Sequence, residues 1–419
     1  MKCFVVVCLL FGIVNCAAQV KLKIKNATNI ERQNELVRIP VKKLKHIGLK
    51  KVENAKFLSV TINKENIINQ TVDLDGDGKW DELVFITDFS PNETKSLDIE
   101  IANKETQNIT AFAHARLKPQ LADGSFGAAV PFLEMPFQNP PTDFSEKSLP
   151  PYLTEGPALE NDKNAFRLYF DTRNTKDIYG KRQPRLVMDS VGSNTKHSYH
   201  HLSDWGMDIL HVEKSLGAGS LAIKTKNPKG DDTLVRVAGK LITKESYKLL
   251  NDGPLFASFR MDYNISLFGK AYSLIETMSI WKGQYFYESR ITISPKLDNS
   301  YLVLGIADFF QNKMDSIKQN KTTVVYSYGK QSENKDELGM AIVAHDNYGV
   351  FLKDAPKANS DITFSHLLGE KIARGVANEF RFYSCWILTN GAIANTEENF
   401  RSFLGNEAVK YAHPIEILE

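Results

Sequence analysis

Short stretches of the chain alternate apolar and polar residues with a period of two, and turn residues separate them. This is the pattern of half-buried antiparallel strands. Near the N-terminus Val20–Ile24, Phe57–Ile62, Glu82–Ile86 and Ser96–Ile101 read this way. Farther along, the same holds for Phe166–Phe170, Ser220–Ile223, Thr233–Val237, Ala257–Tyr263, Tyr272–Ile280, Tyr285–Ile293 and Phe380–Ser384. Lys282-Gly283-Gln284 predicts a hairpin between two of these. Prolines 119, 131, 136, 140, 141, 150 and 151 crowd the stretch between the two groups. Proline at that density predicts a linker or a pocket-covering loop. Helical signal is scarce; the clearest candidate is Thr396–Leu404, with Asn395 as N-cap, Glu398 reaching back as in a capping box, and Gly405 as the stop. The fold class expected is therefore all-β. A β-module covers residues 19–117, a connecting segment 118–152, and a large antiparallel β-sandwich with a C-terminal helix 153–419. A mutarotase-like supersandwich is one form such a sandwich takes.

Composition narrows the class of partner. The 419 residues carry 52 Lys+Arg against 50 Asp+Glu and are 42% hydrophobic, an ordinary globular balance with no basic block to track a phosphate backbone. Nucleic acid is not an expected partner. Met1-Lys2, the apolar run Cys3–Val14 and the small residues Cys16-Ala17-Ala18 read as a secretory signal peptide over residues 1–18. Cleavage after Ala18 gives a soluble protein, whereas cleavage before Cys16 leaves a thiol for a lipid anchor. No other stretch approaches the roughly 18 apolar residues of a membrane-spanning helix. The protein is expected to be exported, in the periplasm or at the cell surface. Three of the four cysteines lie in this leader, so Cys385 has no disulfide partner and reads as a buried hydrophobe.

Three patterns carry candidate chemistry. Asp73, Asp75, Asp77 and Asp81 stand at positions 1, 3, 5 and 9 of a loop whose sixth residue is Gly78 and whose seventh, Lys79, offers a carbonyl. That spacing suits structural Ca2+ at a β-hairpin, with an acidic Asx-turn as the bland alternative. His197, His200, His201 and His211 fall within fifteen residues, accompanied by Tyr199, Asp204 and Asp208, a set able to exchange protons near neutral pH. Upstream, Arg167, Tyr169 and Asp171 share one face of a strand whose other face, Phe166, Leu168 and Phe170, points to a core. Arg173, Lys181, Arg182 and Arg185 add positive charge in nearby loops, which together suits an anionic small ligand. Trp205 is a candidate for stacking on a sugar ring. Leu216-Gly-Ala-Gly219 reads as a turn, and neither a Walker A sequence nor a GxSxG elbow is present.

The motifs Asp73 to Glu82, Glu160 to Arg173, Asp177 to Lys181, and Asp204-Trp-Gly-Met-Asp208 followed by Lys214 to Gly219 resemble a family of exported Bacteroidetes proteins described as a domain of unknown function. The likeness covers nearly all of the chain beyond the leader and is strongest to the ulvan oligosaccharide dehydratase branch. It implies removal of water from the non-reducing-end uronic acid of an anionic oligosaccharide, leaving a 4,5-unsaturated uronate. On that chemistry Arg167 or Arg173 would pair with the uronate carboxylate and His200 or His201 would take the C5 proton. Tyr199 or Tyr169 would protonate the departing hydroxyl, with Asp204 orienting a histidine. No catalytic cofactor is needed. A polysaccharide lyase uses the same proton abstraction but splits the chain, and a noncatalytic glycan-binding protein would leave the sugar unchanged.

Overall fold

In the computed structural model the described residues are 19–104, 110–135, 140–141 and 148–419. The leader, Cys16 included, lies outside them. The period-two stretches form antiparallel strands throughout, and the architecture is all-β with two α-helices among the described residues.

The N-terminal module is a small sandwich. One sheet runs in the order Glu416–Leu418, Gln19–Lys25, Thr94–Ala102, Phe57–Ile62, Glu65–Ile67, and a second runs Arg32–Pro40, Glu82–Phe89, Asn69–Val72. Leu22, Ile24, Val37, Ile39, Leu58, Val60, Phe85 and Ile99 fill the space between them. The first of these sheets corrects the expected boundary at the C-terminus: Glu416–Leu418 pairs with Gln19–Lys25, so the last residues close the N-terminal module. Three residues are too few for periodicity to reveal.

The larger unit is built on a nine-stranded sheet. Its order is Asp315–Gln319, Thr322–Lys330, Glu337–His345, Asn378–Trp386, Phe286–Ser294, Lys270–Trp281, Phe256–Leu267, Ile242–Asn251, Phe132–Glu134. The last member comes from the proline-rich bridge, which thus supplies an edge strand to Ile242–Asn251 as well as loop. One face of this sheet, with Phe259, Met261, Leu274, Met278 and Phe382, packs on two five-stranded sheets. The first runs Asp232–Arg236, Ala218–Lys226, Tyr301–Ala307, Ser365–Lys371, Val350–Asp354. The second runs Gly206–Asp208, Lys176–Lys181, Asn164–Leu168, Ala158–Asn161, Ala113–Arg116. The other face of the long sheet, with Tyr326, Ala341, Val343, Tyr383 and Cys385, is covered by the C-terminal helix and by Leu36, Val72 and Val84 of the module.

That helix differs from expectation. It runs Glu397–Ala412, capped by Thr396, whose Oγ1 accepts from Asn399 N at 3.1 Å; Asn395 bonds the Asn399 side chain instead. Gly405 does not stop it, because Phe400, Leu404, Ala408 and Tyr411 keep one apolar face seated on the sheet through it. That burial outweighs the roughly 1 kcal/mol helix penalty of a glycine.

Candidate functional site

The site grows out of one face of the five-stranded sheet that begins at Gly206–Asp208. Phe166, Leu168, Ile178 and Met207 point into the main core. The alternate residues point the other way, and register brings them together: Arg167 lies opposite Asp177, and Tyr179 opposite Asp208. Small residues, Ala158 and Ala165, leave room on this face. The face is not open to solvent, because the segment from Arg182 to Trp205 folds over it. Glu160 pins that segment by accepting from Val187 N at 2.6 Å and Met188 N at 3.0 Å. Buried Arg116 holds it too, donating to Met188 O at 2.7 Å and to Leu153 O at 2.9 Å.

Beneath this cover lies an arginine–carboxylate–tyrosine cluster. Arg167, 2% exposed, donates through Nη1 to Glu155 and Tyr199, through Nη2 to Tyr169, Asp177 and Asp208, and through Nε to Asp177. The Tyr169 hydroxyl donates to Asp177 at 2.9 Å, and the Tyr199 hydroxyl to Glu155 at 2.9 Å. Arg173 spans Glu155 at 3.1 Å and Asp171 at 2.6 Å, with its guanidinium 3.7 Å over the Tyr169 ring. Glu155 takes this bridging place from a left-handed backbone, φ 63°, beside Thr154 at φ 52°. Such a conformation costs non-glycine residues about 1–2 kcal/mol. Here the contacts of the carboxylate with Arg167, Arg173 and Tyr199 hold it.

Four carboxyls, Glu155, Asp171, Asp177 and Asp208, share two guanidiniums. Burial, followed by the neighbouring Asp177 charge, pushes the Asp208 carboxyl well above the usual range, against the opposing pull of Arg167. Asp208 N donates to Tyr199 O at 2.8 Å, which sets the next residue, His200, beside the Asp208 side chain. His200 Nε2 is 3.7 Å from Asp208 Oδ2, and the histidine side chain is 51% exposed. Its ring stands edge-on to Tyr199 at 4.6 Å. Burial and then the Arg167 charge lower the His200 pKa, so its imidazole is neutral near pH 7.

The candidates chosen from the sequence divide accordingly. Arg167, Tyr169, Tyr199, Arg173 and His200 belong to one cluster. His201, His197 and Trp205 line an adjoining depression of about 420 Å³ that also borders Tyr199 and Lys196, the latter not among the sequence candidates. Arg167 and the two tyrosine hydroxyls are turned inward, so they organise carboxylates instead of facing a ligand. Asp204 is exposed, and no hydrogen bond or ion pair joins it to a histidine among the described residues; Asp208 holds the place expected of it. Lys181 is on a strand, buried and paired with Glu160 at 2.6 Å, because its strand position points it under the covering segment. Arg185 is exposed. His211 sits apart, against Glu213, Glu333 and Phe309. Sequence reasoning left Glu155 and Asp177 out of the site and named Asp208 only as a companion of the histidines. A buried arginine demands counter-charges, and that demand was the available signal.

The acidic loop gathers only part of its set. Carboxylate oxygens of Asp73, Asp75 and Asp81 come within 4.8 Å of one another, while Asp77 faces Lys79 Nζ at 3.6 Å. Asp73 already accepts from Gly76 N at 2.6 Å and Gly78 N at 2.8 Å, the hydrogen bonds of an Asx-type turn. Lys248 Nζ reaches the Gly76 carbonyl and Arg260 the Asp75 carbonyl, so the loop also fastens the module to the long sheet.

No helix among the described residues is long and apolar enough to cross a membrane. Among proteins of known sequence, Uncharacterized protein P7 of Formosa agariphila is 23% identical over 343 residues, 77% of this chain and 75% of that protein. Two solved structures from Enterococcus faecalis are also similar, an alpha-mannosidase (TM-score 0.44, 9% identity) and a glycosyl hydrolase family 38 protein (TM-score 0.43, 7% identity). Each alignment covers 95% of this chain, which spans about half the length of those structures, 46% and 47%. A single family model matches residues 24–417, from the first strand of the module to the last, taking in every residue of the cluster. The chain therefore belongs to the family described as a domain of unknown function, DUF4861.

Proposed function

We propose that the protein is a carbohydrate-active dehydratase, a hydro-lyase of polysaccharide degradation. It would remove water from the non-reducing-end uronic acid of ulvan-type oligosaccharides and leave a 4,5-unsaturated uronate. One observation carries the reading: a half-exposed imidazole with a lowered pKa, His200, set 3.7 Å from a buried carboxyl, Asp208, whose pKa is raised. The difficult step is removal of a weakly acidic C5 proton beside a charged carboxylate, and it needs a base that is unprotonated at working pH. His200 takes that proton, the C5–H electrons form the C4=C5 bond, and the C4–O bond breaks. The departing hydroxyl needs a proton, since hydroxide is a poor leaving group. In the proposed cycle Asp208 enters protonated and His200 neutral; the pair gains one proton from C5, gives one to the leaving oxygen and ends as it began.

Arg167 keeps Asp208, Asp177 and Glu155 in place. The uronate carboxylate, or a sulfate, falls to groups nearer the surface: Arg173, 22% exposed, and Lys196, His197 and His201 around the depression. Trp205 offers a ring face there. No catalytic cofactor enters the scheme. Asp73, Asp75 and Asp81 are proposed as a structural Ca2+ loop, with export to the periplasm or cell surface, and a lipid anchor at Cys16 if cleavage precedes it. Product mass tests the reading on uronic-acid-terminated ulvan oligosaccharides. Loss of one water with the chain intact and a new conjugated-uronate ultraviolet band supports it. Shorter chains identify a lyase, and bound but unchanged sugar identifies a glycan-binding protein.

A further inference from the structure

A second cavity, of about 290 Å³, lies at a seam between sheets, lined by Arg290, His345, Asn378 and Glu379 of the nine-stranded sheet and by Glu370 and Lys371 of a five-stranded one. Glu370 stands two residues after Leu368 on the strand Ser365–Lys371, so its side chain enters the same space between the sheets that Leu368 fills with core. It is 4% exposed, and burial pushes its pKa up to about 8. Its Oε2 accepts from Asn378 Nδ2 at 3.2 Å; among the described residues no hydrogen bond reaches Oε1. A buried carboxyl lining a cavity with an oxygen unpaired favours a ligand that can hydrogen-bond to it.

The mouth is built from two loops. Lys371 N donates to Gly349 O at 3.1 Å, which ties residues 347–349 to the end of the Glu370 strand. Tyr348 and Val376, 54% and 44% exposed, bring large apolar surface to the same cavity. His345 is held by stacking on Tyr411, with ring centroids 4.3 Å apart.

Size and lining together limit the occupant. The volume is close to the roughly 300 Å³ at which small-molecule pockets begin, room for a single sugar ring. The Asn347 and Asn378 amides and the Glu370 carboxyl supply donors and acceptors for hydroxyls, and Tyr348 offers a ring face to the C–H side of a pyranose. Charge disfavours ionic ligands. An anion would meet the Glu370 acid while Arg290 is taken by Glu379 at 2.8 Å, and a cation would meet Arg290 and Lys371. We propose that this cavity is a binding subsite for one neutral pyranose residue of a glycan, with Glu370 and Asn378 bonding its hydroxyls and Tyr348 lying against its ring. None of its lining residues belongs to the sheet or the covering segment of the His200 cluster, so the proposal is independent of the dehydratase reading.

The test is saturation-transfer NMR, with calorimetric titration for affinity, of the full chain against the methyl glycosides of glucose, galactose, mannose, rhamnose and xylose, and against methyl glucuronide as the anionic control. At least one neutral glycoside should bind with a millimolar Kd, more tightly than the glucuronide. Tyr348→Ala, at an exposed position, should weaken that binding about five- to tenfold. Glu370→Leu, of similar volume and without hydrogen-bonding atoms, should abolish it while Tm stays at or above that of the wild type, which separates loss of ligand from loss of fold. Trp205→Ala should leave it unchanged. Binding of none of the five neutral glycosides overturns the proposal, as does tighter binding of the glucuronide, or wild-type affinity in either Tyr348→Ala or Glu370→Leu.

Discussion

Replacing Arg167 by methionine tests how the candidate site is held together. Methionine keeps much of the aliphatic volume but removes every donor of a guanidinium that serves Glu155, Asp177 and Asp208, plus two tyrosine hydroxyls. Both Arg167 and its three carboxylate partners are almost wholly buried. Solvent therefore cannot take over the role of the lost charge. Removing one partner of a buried ion pair costs about 3–5 kcal/mol, chiefly from the charge left behind. A folded domain is stable by only about 5–15 kcal/mol. The loss would be read from urea denaturation followed by tryptophan fluorescence at pH 7.5 and pH 5.5. The sign of the pH effect follows from linkage. Carboxyls stripped of their cation fold more easily when protonated, so their folded pKa lies above the unfolded one and the variant loses stability as pH rises. The deficit relative to wild type should therefore be larger at pH 7.5 than at pH 5.5. A cost below about 1 kcal/mol at pH 7.5, or an equal deficit at both values, would refute the claim that Arg167 is the counter-charge of this cluster.

Further predictions concern neighbouring parts of the same sheet. Burial alone would lower the His114 pKa, but hydrogen bonds to Asp189 and Asp252 outweigh it and hold it up to about 9. The stability this histidine contributes is thus complete below pH 6.5 and lost as pH rises through about 9, and His114→Gln should flatten that part of a Tm-versus-pH curve. Gly206 has φ 139°, and a Cβ there would lie 1.8 Å from Gly180 O. Gly206→Ala should lower Tm and expose residues 182–205 to limited proteolysis at protease levels that spare the wild type. Trp205→Ala should raise KM for the oligosaccharide several-fold with little change in kcat, since the ring borders the depression and is given no role in the proton transfers.

Much of the fold was legible because most strands have one buried face and so leave a period-two trace. Phe57–Ile62 emerges with the bounds read from the sequence, and the hairpin at Lys282–Gln284 joins paired strands. The inward face of Phe166 and Leu168 was equally plain. What lies on their other face was not. Arg167 alternates correctly with them, but a polar strand face ordinarily meets water, and here residues 182–205 cover it through bonds to Glu160 and Arg116. That closure depends on contacts between positions far apart in the chain. For the same reason Lys181 looked like an exposed loop charge although its partner, Glu160, stands twenty-one residues earlier. The histidine cluster was visible as composition. What the chain did not announce is the backbone bond from Asp208 N to Tyr199 O, which sets His200 and not His201 beside the Asp208 carboxyl.

The most direct test of the central claim is the rate at which a conjugated-uronate absorbance appears from uronic-acid-terminated ulvan oligosaccharides, compared among wild type, His200→Ala and His201→Ala, each shown to be folded by circular dichroism. The account predicts turnover by the wild type, a loss of about 10²–10⁴-fold in His200→Ala, the usual worth of a general acid–base group, and a much smaller effect in His201→Ala. Wild-type turnover in His200→Ala, or no absorbance from the wild type on these substrates, would contradict it.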